Sequence, residues 1–156
     1  MLSMVTDRTA RNVARLRELR EIGLQNFDTT LKLEWTINSK GAYNYSDLNR
    51  VEKAVKYLAD LLNENGYPVE IEDVRTNWAA TDVPSMAEMT RYLNNVRKIR
   101  GAFYTLPTTP QVPATMRGLT YDKANAIEQI LADVDVLLNN MIASYTYSGD
   151  IFGGEV

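Results

Sequence analysis

Between Thr120 and Tyr145 the chain reads TYDKANAIEQILADVDVLLNNMIASY, its longest stretch of unbroken helical spacing. Ile127, Ile130, Val134, Leu137 and Met141 recur at intervals of three and four, which lines one face of an α-helix. Leu131, Leu138 and Tyr145 form a second row, with Ile142 at its edge. An apolar arc this wide predicts a helix covered by two or more neighbours rather than one lying on a surface. Thr120 is placed to cap its start, and no glycine or proline interrupts it before Gly149. A helix over 121–145 spans about 37 Å. Burial of its eight largest aliphatic side chains contributes about 12–24 kcal/mol before chain entropy is counted. The opposite face is read as carrying Asp122, Glu128, Asp133 and Asp135, most of them as a solvated surface.

The rest of the chain has to supply that cover, and 156 residues suffice for one domain with a sizeable core. A composition 45% hydrophobic and 24% charged is that of an ordinary globular protein, and a net charge of −3 gives no overall nucleic-acid footprint. There is no cysteine, which excludes disulfides and thiol chemistry. There is no histidine either, which removes His-based triads and the usual general base near neutral pH. No apolar run has membrane-spanning length and the N-terminus has no signal-peptide pattern, so synthesis and retention in the cytosol are expected.

Three further helices are expected. An N-terminal one runs from about Asp7 to Ile22, capped by Thr6, stopped by Gly23 and edged by Val13, Leu16, Leu19 and Ile22. Arg8, Arg11, Arg15, Arg17 and Arg20 make it a basic arm, diluted by Asp7, Glu18 and Glu21. It reads as a solvated face docking on acidic protein surface; no aromatic interleaves it, so a nucleic-acid arm is not expected. A second helix runs over 47–65, with Ser46 or Asn44 as cap and Gly66 as stop. Its Leu48, Val51, Val55, Leu58 and Leu62 follow the 3-4 spacing of a bundle seam. A third starts at the capping box Ser85-Met-Ala-Glu88 and reaches Tyr104, with Met86, Met89, Leu93, Val96 and Phe103 on its seam. Arg100 stands where that seam expects an apolar residue, either emerging at the helix end or pairing with Asp133 or Asp135.

The connections are less regular. In 28–41, Leu31, Leu33, Trp35 and Ile37 alternate like a strand, while Asp28 or Thr29 suits the cap of a short helix, the preferred reading. In the connection over 66–84, Val69 and Ile71 alternate with Glu70 and Glu72, predicting a short edge strand over 69–74. Its expected partner is the tail, where Tyr145, Tyr147, Ile151 and Phe152 flank Ser148-Gly149-Asp150. Glu70, Glu72 and Asp73 lack calcium-loop spacing and read as solvated. Pro107, Pro110 and Pro113 recur every third residue, which suits a polyproline strap. Such a strap is long enough to run back along the preceding helix, leaving the central helix parallel to it.

Trp35, Tyr43, Tyr45, Tyr67, Trp78 and Tyr104 lie in or beside connections and form the candidate interaction surface. Such aromatics either plug the ends of a bundle, the preferred reading, or form a platform for protein or sugar. No phosphate loop, dinucleotide fingerprint, nucleophile elbow or metalloprotease motif occurs, and no pair among the twenty acids stands out for carboxylate chemistry. No catalytic residue, metal ligand or cofactor is therefore expected.

The runs Gly41-Ala-Tyr-Asn-Tyr-Ser-Asp-Leu-Asn-Arg-Val-Glu52, Arg91-Tyr-Leu-Asn-Asn-Val96, Leu106-Pro-Thr-Thr-Pro-Gln-Val-Pro113, Leu119-Thr-Tyr-Asp-Lys-Ala-Asn-Ala-Ile-Glu128 and Tyr147-Ser-Gly resemble an uncharacterised family of small proteins. Phages and prophages of Gram-positive bacteria encode that family, often near tail and tail-fibre genes. The likeness covers most of residues 6–152 and departs from the family pattern at 28–40. It implies a tail-associated virion structural protein or accessory module, present in host cytoplasm before assembly and in the virion after it. The implied partners are other phage structural proteins and further copies of the chain, with no membrane and no nucleic acid.

The expected fold is mainly α. It is a helical bundle of three long helices plus an N-terminal helix, with a small two-stranded β element. Residues 1–40 are expected to form the basic helical extension and 41–156 the core with its β tail. The expected function is that of a non-enzymatic structural or adaptor protein of a tail or baseplate; the alternative is a module whose aromatics contact a bacterial surface glycan.

Overall fold

The computed structural model describes the chain over residues 1–153, with side chains described through Tyr145. It contains five α-helices: α1 (Ala10–Ile22), α2 (Thr29–Asn38), α3 (Tyr45–Glu64), α4 (Met86–Ala102) and α5 (Tyr121–Gly153). Local chemistry explains most of their ends. Ser85 and Glu88 form the capping box of α4, and Asn44 and Asp47 form one on α3. At the far end of α3 Gly66 takes φ 83°, so Tyr67 N–H reaches the Leu62 carbonyl at 2.9 Å and Gly66 N–H that of Asn63. That pairing is a Schellman stop. Segment 28–41 is helical: Asp28 accepts from Leu31 N–H and caps α2, which outweighs the strand-like alternation.

The three long helices are parallel. Glu52 and Asp47 near the start of α3 meet Arg91 of α4 and, through Arg50, Glu128 of α5. At the other end Tyr67 packs edge-on against Phe103 and donates its hydroxyl to Met141. Their seams close one core in which Leu58, Leu62, Val96, Ile99, Ile127, Ile130, Val134 and Leu138 are fully buried. A parallel bundle needs a long return after each helix, and the chain supplies two. The proline strap retreats along α4, since Arg100 donates to the carbonyl of Pro110 and Arg97 to that of Pro113. Arg100 therefore neither hangs free nor pairs with Asp133 or Asp135; it tethers the strap, and Thr109 beside it donates to Asp133.

The first return corrects the predicted β element. Residues 69–74 are extended, but among the described residues no strand pairing occurs, and the chain at 145–153 is helical. The side chains of Tyr147, Ile151 and Phe152 lie outside the described residues. The reason is that helix asparagines take the place of a strand partner. Asn63 donates to the Val69 carbonyl and accepts from Val69 N–H; Asn95 does the same for Glu72, and Asn49 for Trp78. A carboxamide offers a donor and an acceptor in the geometry of a peptide, so each one satisfies a residue of extended backbone.

The N-terminus is built the same way, and so the predicted start of α1 moves. Thr9, not Thr6, is the cap. Residues before it run antiparallel to α5: Leu2 N–H bonds Asp135, Val5 N–H bonds Glu128, and Arg8 exchanges two hydrogen bonds with Asn125. Those backbone donors are claimed by α5 and cannot join a helix. Beyond them, α1 and α2 pair with each other, tied by Arg15 to Glu34 and Asn12 to Asn38.

The turn closing that pair depends on Gly41, where a β-carbon would stand 2.7 Å from the carbonyl carbon and oxygen of Asn12 in α1. Gly41→Ala is expected to cost about 1–3 kcal/mol, because backbone rather than a flexible side chain must yield. Gly101 in α4 has open space around it, and Gly101→Ala should be neutral or stabilising by about 0.5–1 kcal/mol. Urea unfolding of the two variants checks the contrast; equal effects would refute the close approach at Gly41.

Candidate interaction groove

Because α3, α4 and α5 start at the same end, both returns finish there, and between them lies a groove of about 1000 Å³. Trp78, Leu48 and Leu93 are buried beneath it, and Met89, Met116 and Leu119 pack partly buried along it. On its rim Met86 is 77% accessible and Tyr45 44%, beside the exposed polar side chains of Asn44, Thr90, Arg97 and Arg117, with Val83 close in sequence at 90%.

The six loop aromatics divide into three places. Tyr43, Tyr45 and Trp78 line the groove. Tyr67 and Tyr104 flank Phe103 at the opposite end of the bundle, with ring centroids 4.7 and 5.4 Å away. Trp35 packs on Phe27 beside α1. Trp78 is not a free platform: it is 3% exposed, its indole N–H donates to Glu52, and the Arg75 guanidinium lies 3.9 Å from its ring.

Two buried charge clusters hold this end together, and the first departs from the solvated faces expected of Glu128 and Arg8. Glu128 is wholly buried and accepts from Val5 N–H at 2.6 Å, Arg8 at 2.7 Å and Arg50 at 2.6 and 2.9 Å. Asp47 accepts from the same two arginines, so two cations face two anions. Arg8 thus leaves the basic arm. It is 3% exposed and also donates to the carbonyls of Val5 and Lys40. Arg11, Arg17 and Arg20 stay exposed, while Arg15 is spent between Glu18 and Glu34. In the second cluster Glu52 accepts from both terminal nitrogens of Arg91, from Arg75 N–H and from Trp78. Among the described residues no buried side-chain nitrogen or oxygen lacks a partner.

These acids had a legible signal. Ala124, Glu128, Leu131, Asp135 and Leu138 follow 4-3-4-3 spacing, as do Leu48, Glu52, Val55, Ala59 and Leu62. An acid on a seam row is a buried acid awaiting a cation or a backbone N–H. Asp135 fits the rule, being 1% exposed and bonded to Leu2 N–H.

Between the clusters the hydroxyls of Tyr43 and Tyr92 bond each other. Burial raises the pKa of both, that of Tyr92 far above the ordinary tyrosine value of 10. A phenol held neutral in the fold but free to ionise when unfolded contributes stability below pH 10 that is lost as pH rises beyond it. Alkaline unfolding should therefore begin above pH 10, with two of the nine tyrosines releasing protons only as the fold opens. Phenolate absorbance against circular dichroism tests this; two transitions fully separated in pH would contradict it. Tyr43→Phe or Tyr92→Phe alone strands a hydroxyl and should cost about 1–3 kcal/mol, whereas the double variant should cost less than their sum.

Comparison with models of protein families, with curated proteins and with solved structures finds no match to this chain.

Proposed function

We propose that the protein is a non-enzymatic structural or adaptor part of a phage or prophage tail or baseplate, working through protein–protein interfaces. The observation that carries the interface reading is the groove, where Met86 and Tyr45 stand exposed around a floor of buried Trp78, Leu48 and Leu93. Exposed apolar surface framed by polar groups is characteristic of a surface that another chain covers. The buried acids support a non-catalytic role, since Glu52 and Glu128 each have their oxygens taken up by cations and backbone or indole N–H groups. The tail assignment rests on the likeness of the Gly41–Glu52, Leu106–Pro113 and Leu119–Glu128 runs to the phage family.

Mass spectrometry of purified virions tests it. The polypeptide should be present in stoichiometric amount, and its absence from virions of a phage that expresses it would defeat the tail assignment. The glycan alternative draws on Tyr43, Tyr45 and Trp78 sharing one groove. Of these only Tyr45 presents much of its ring, so glycan-array binding abolished by Tyr45→Ala is the result that reading requires.

A further inference from the structure

Resting on that protein–protein reading, we infer that the groove receives an acidic amphipathic helix from a partner protein. The apolar part follows from the lining. Met86, Met89 and Met116 surround it, and methionine's flexible, polarisable side chain adapts to inserted anchors better than branched residues do. A volume of about 1000 Å³ is at the top of the range for small-molecule pockets and suits the i and i+4 anchors of a helix face.

The sign of the partner follows from the charges. Arg97 and Arg117 are the cations of the lining, and among the described residues neither meets a carboxylate. Arg97 donates to Asn94 and to the carbonyls of Pro113 and Ala114, and Arg117 stands exposed. The acid of the lining, Asp82, is already paired with Arg75 at 2.8 Å. The groove therefore presents two uncompensated positive charges beside an apolar floor. Flanking carboxylates on an incoming helix complete those charges, and lysines in the same places repel them.

Methionine-methyl NMR of the full chain reads this directly, because three of its six methionines line the groove and Met1, Met4 and Met141 do not. The probes are three synthetic helical peptides: leucine and phenylalanine anchors flanked by glutamates, the same anchors flanked by lysines, and alanines flanked by glutamates. The first should shift Met86, Met89 and Met116 while the other three stay in place, and the second and third should not. Arg117→Glu should weaken the first peptide by about tenfold and improve the second. Arg117 is exposed, so an unchanged Met141 resonance certifies the fold.

Equal binding of both anchored peptides, shifts spread over all six methyls, or none at millimolar peptide would each overturn the inference. Groove methyls that move with protein concentration alone would overturn it in favour of a second copy as occupant. The outcomes are separable from those of the virion experiment. Virion presence with a blank titration retires the groove partner alone; virion absence with a selective titration retires the tail assignment alone.

Discussion

Glu128→Ala is expected to remove about 3–5 kcal/mol of folding stability, the usual cost of stripping one member from a buried ion-pair network. The size follows from what is left behind. Arg8 and Arg50 would share Asp47 alone, and Val5 N–H would lose its acceptor. Arg8 cannot retreat to solvent without peeling the N-terminal arm from α5, because its backbone N–H and its carbonyl are both bonded to the Asn125 side chain. A domain of this size has about 5–15 kcal/mol in total, so the variant should be marginal at 37 °C. Chemical denaturation measures it, and a cycle with Arg8→Ala isolates the pair: the second substitution should cost far less once the first is present. Additive losses would mean that Arg8 and Glu128 do not act as a unit.

Glu52→Ala should be comparably severe, at about 3–5 kcal/mol, but through a different part of the fold. Its carboxylate joins α3 to Arg91 of α4 and fastens the first return at Arg75 and Trp78. Without it the return loses its central anchor, although Asn63, Asn95 and Asn49 continue to hold their own residues. Trp78 should then gain solvent. In a Trp35→Phe background it is the sole tryptophan, and its emission should shift to the red in folded protein. An unshifted spectrum with full loss of stability would place the damage at Arg91 rather than at the return.

Both variants concern residues whose helices were easy to read and whose environment was not. The 3-4 spacing of α3, α4 and α5 is set by a single chain's own periodicity, so the helices follow from residues a few places apart. The same is true of the capping box at Ser85 and Glu88, and of the stop at Gly66. The return along α4 could also be read from the spacing of the prolines, but the path is not extended throughout: Thr109 N–H bonds the Leu106 carbonyl and closes a turn at Pro107. A face carrying Glu128 and Asp135 is ambiguous by contrast: local sequence shows the charge, while the partners stand more than a hundred residues away at Val5, Arg8 and Leu2. The β element failed for the same reason. Val69 and Ile71 alternate as a strand does, yet the hydrogen bonds of extended backbone go to whatever lies beside it, and here that is asparagine on neighbouring helices.

The groove belongs wholly to tertiary structure. Tyr45, Trp78, Met86 and Met116 sit in four separate segments, and they meet because two returns end at the common start of three parallel helices. What the amino-acid order determined alone was the set of rods, their caps and the lengths of chain between them, all of which depend on interactions within one or two turns. What only the folded molecule decided was which charges go inside and which apolar side chains remain outside, since burial is a property of neighbours brought together across the whole chain.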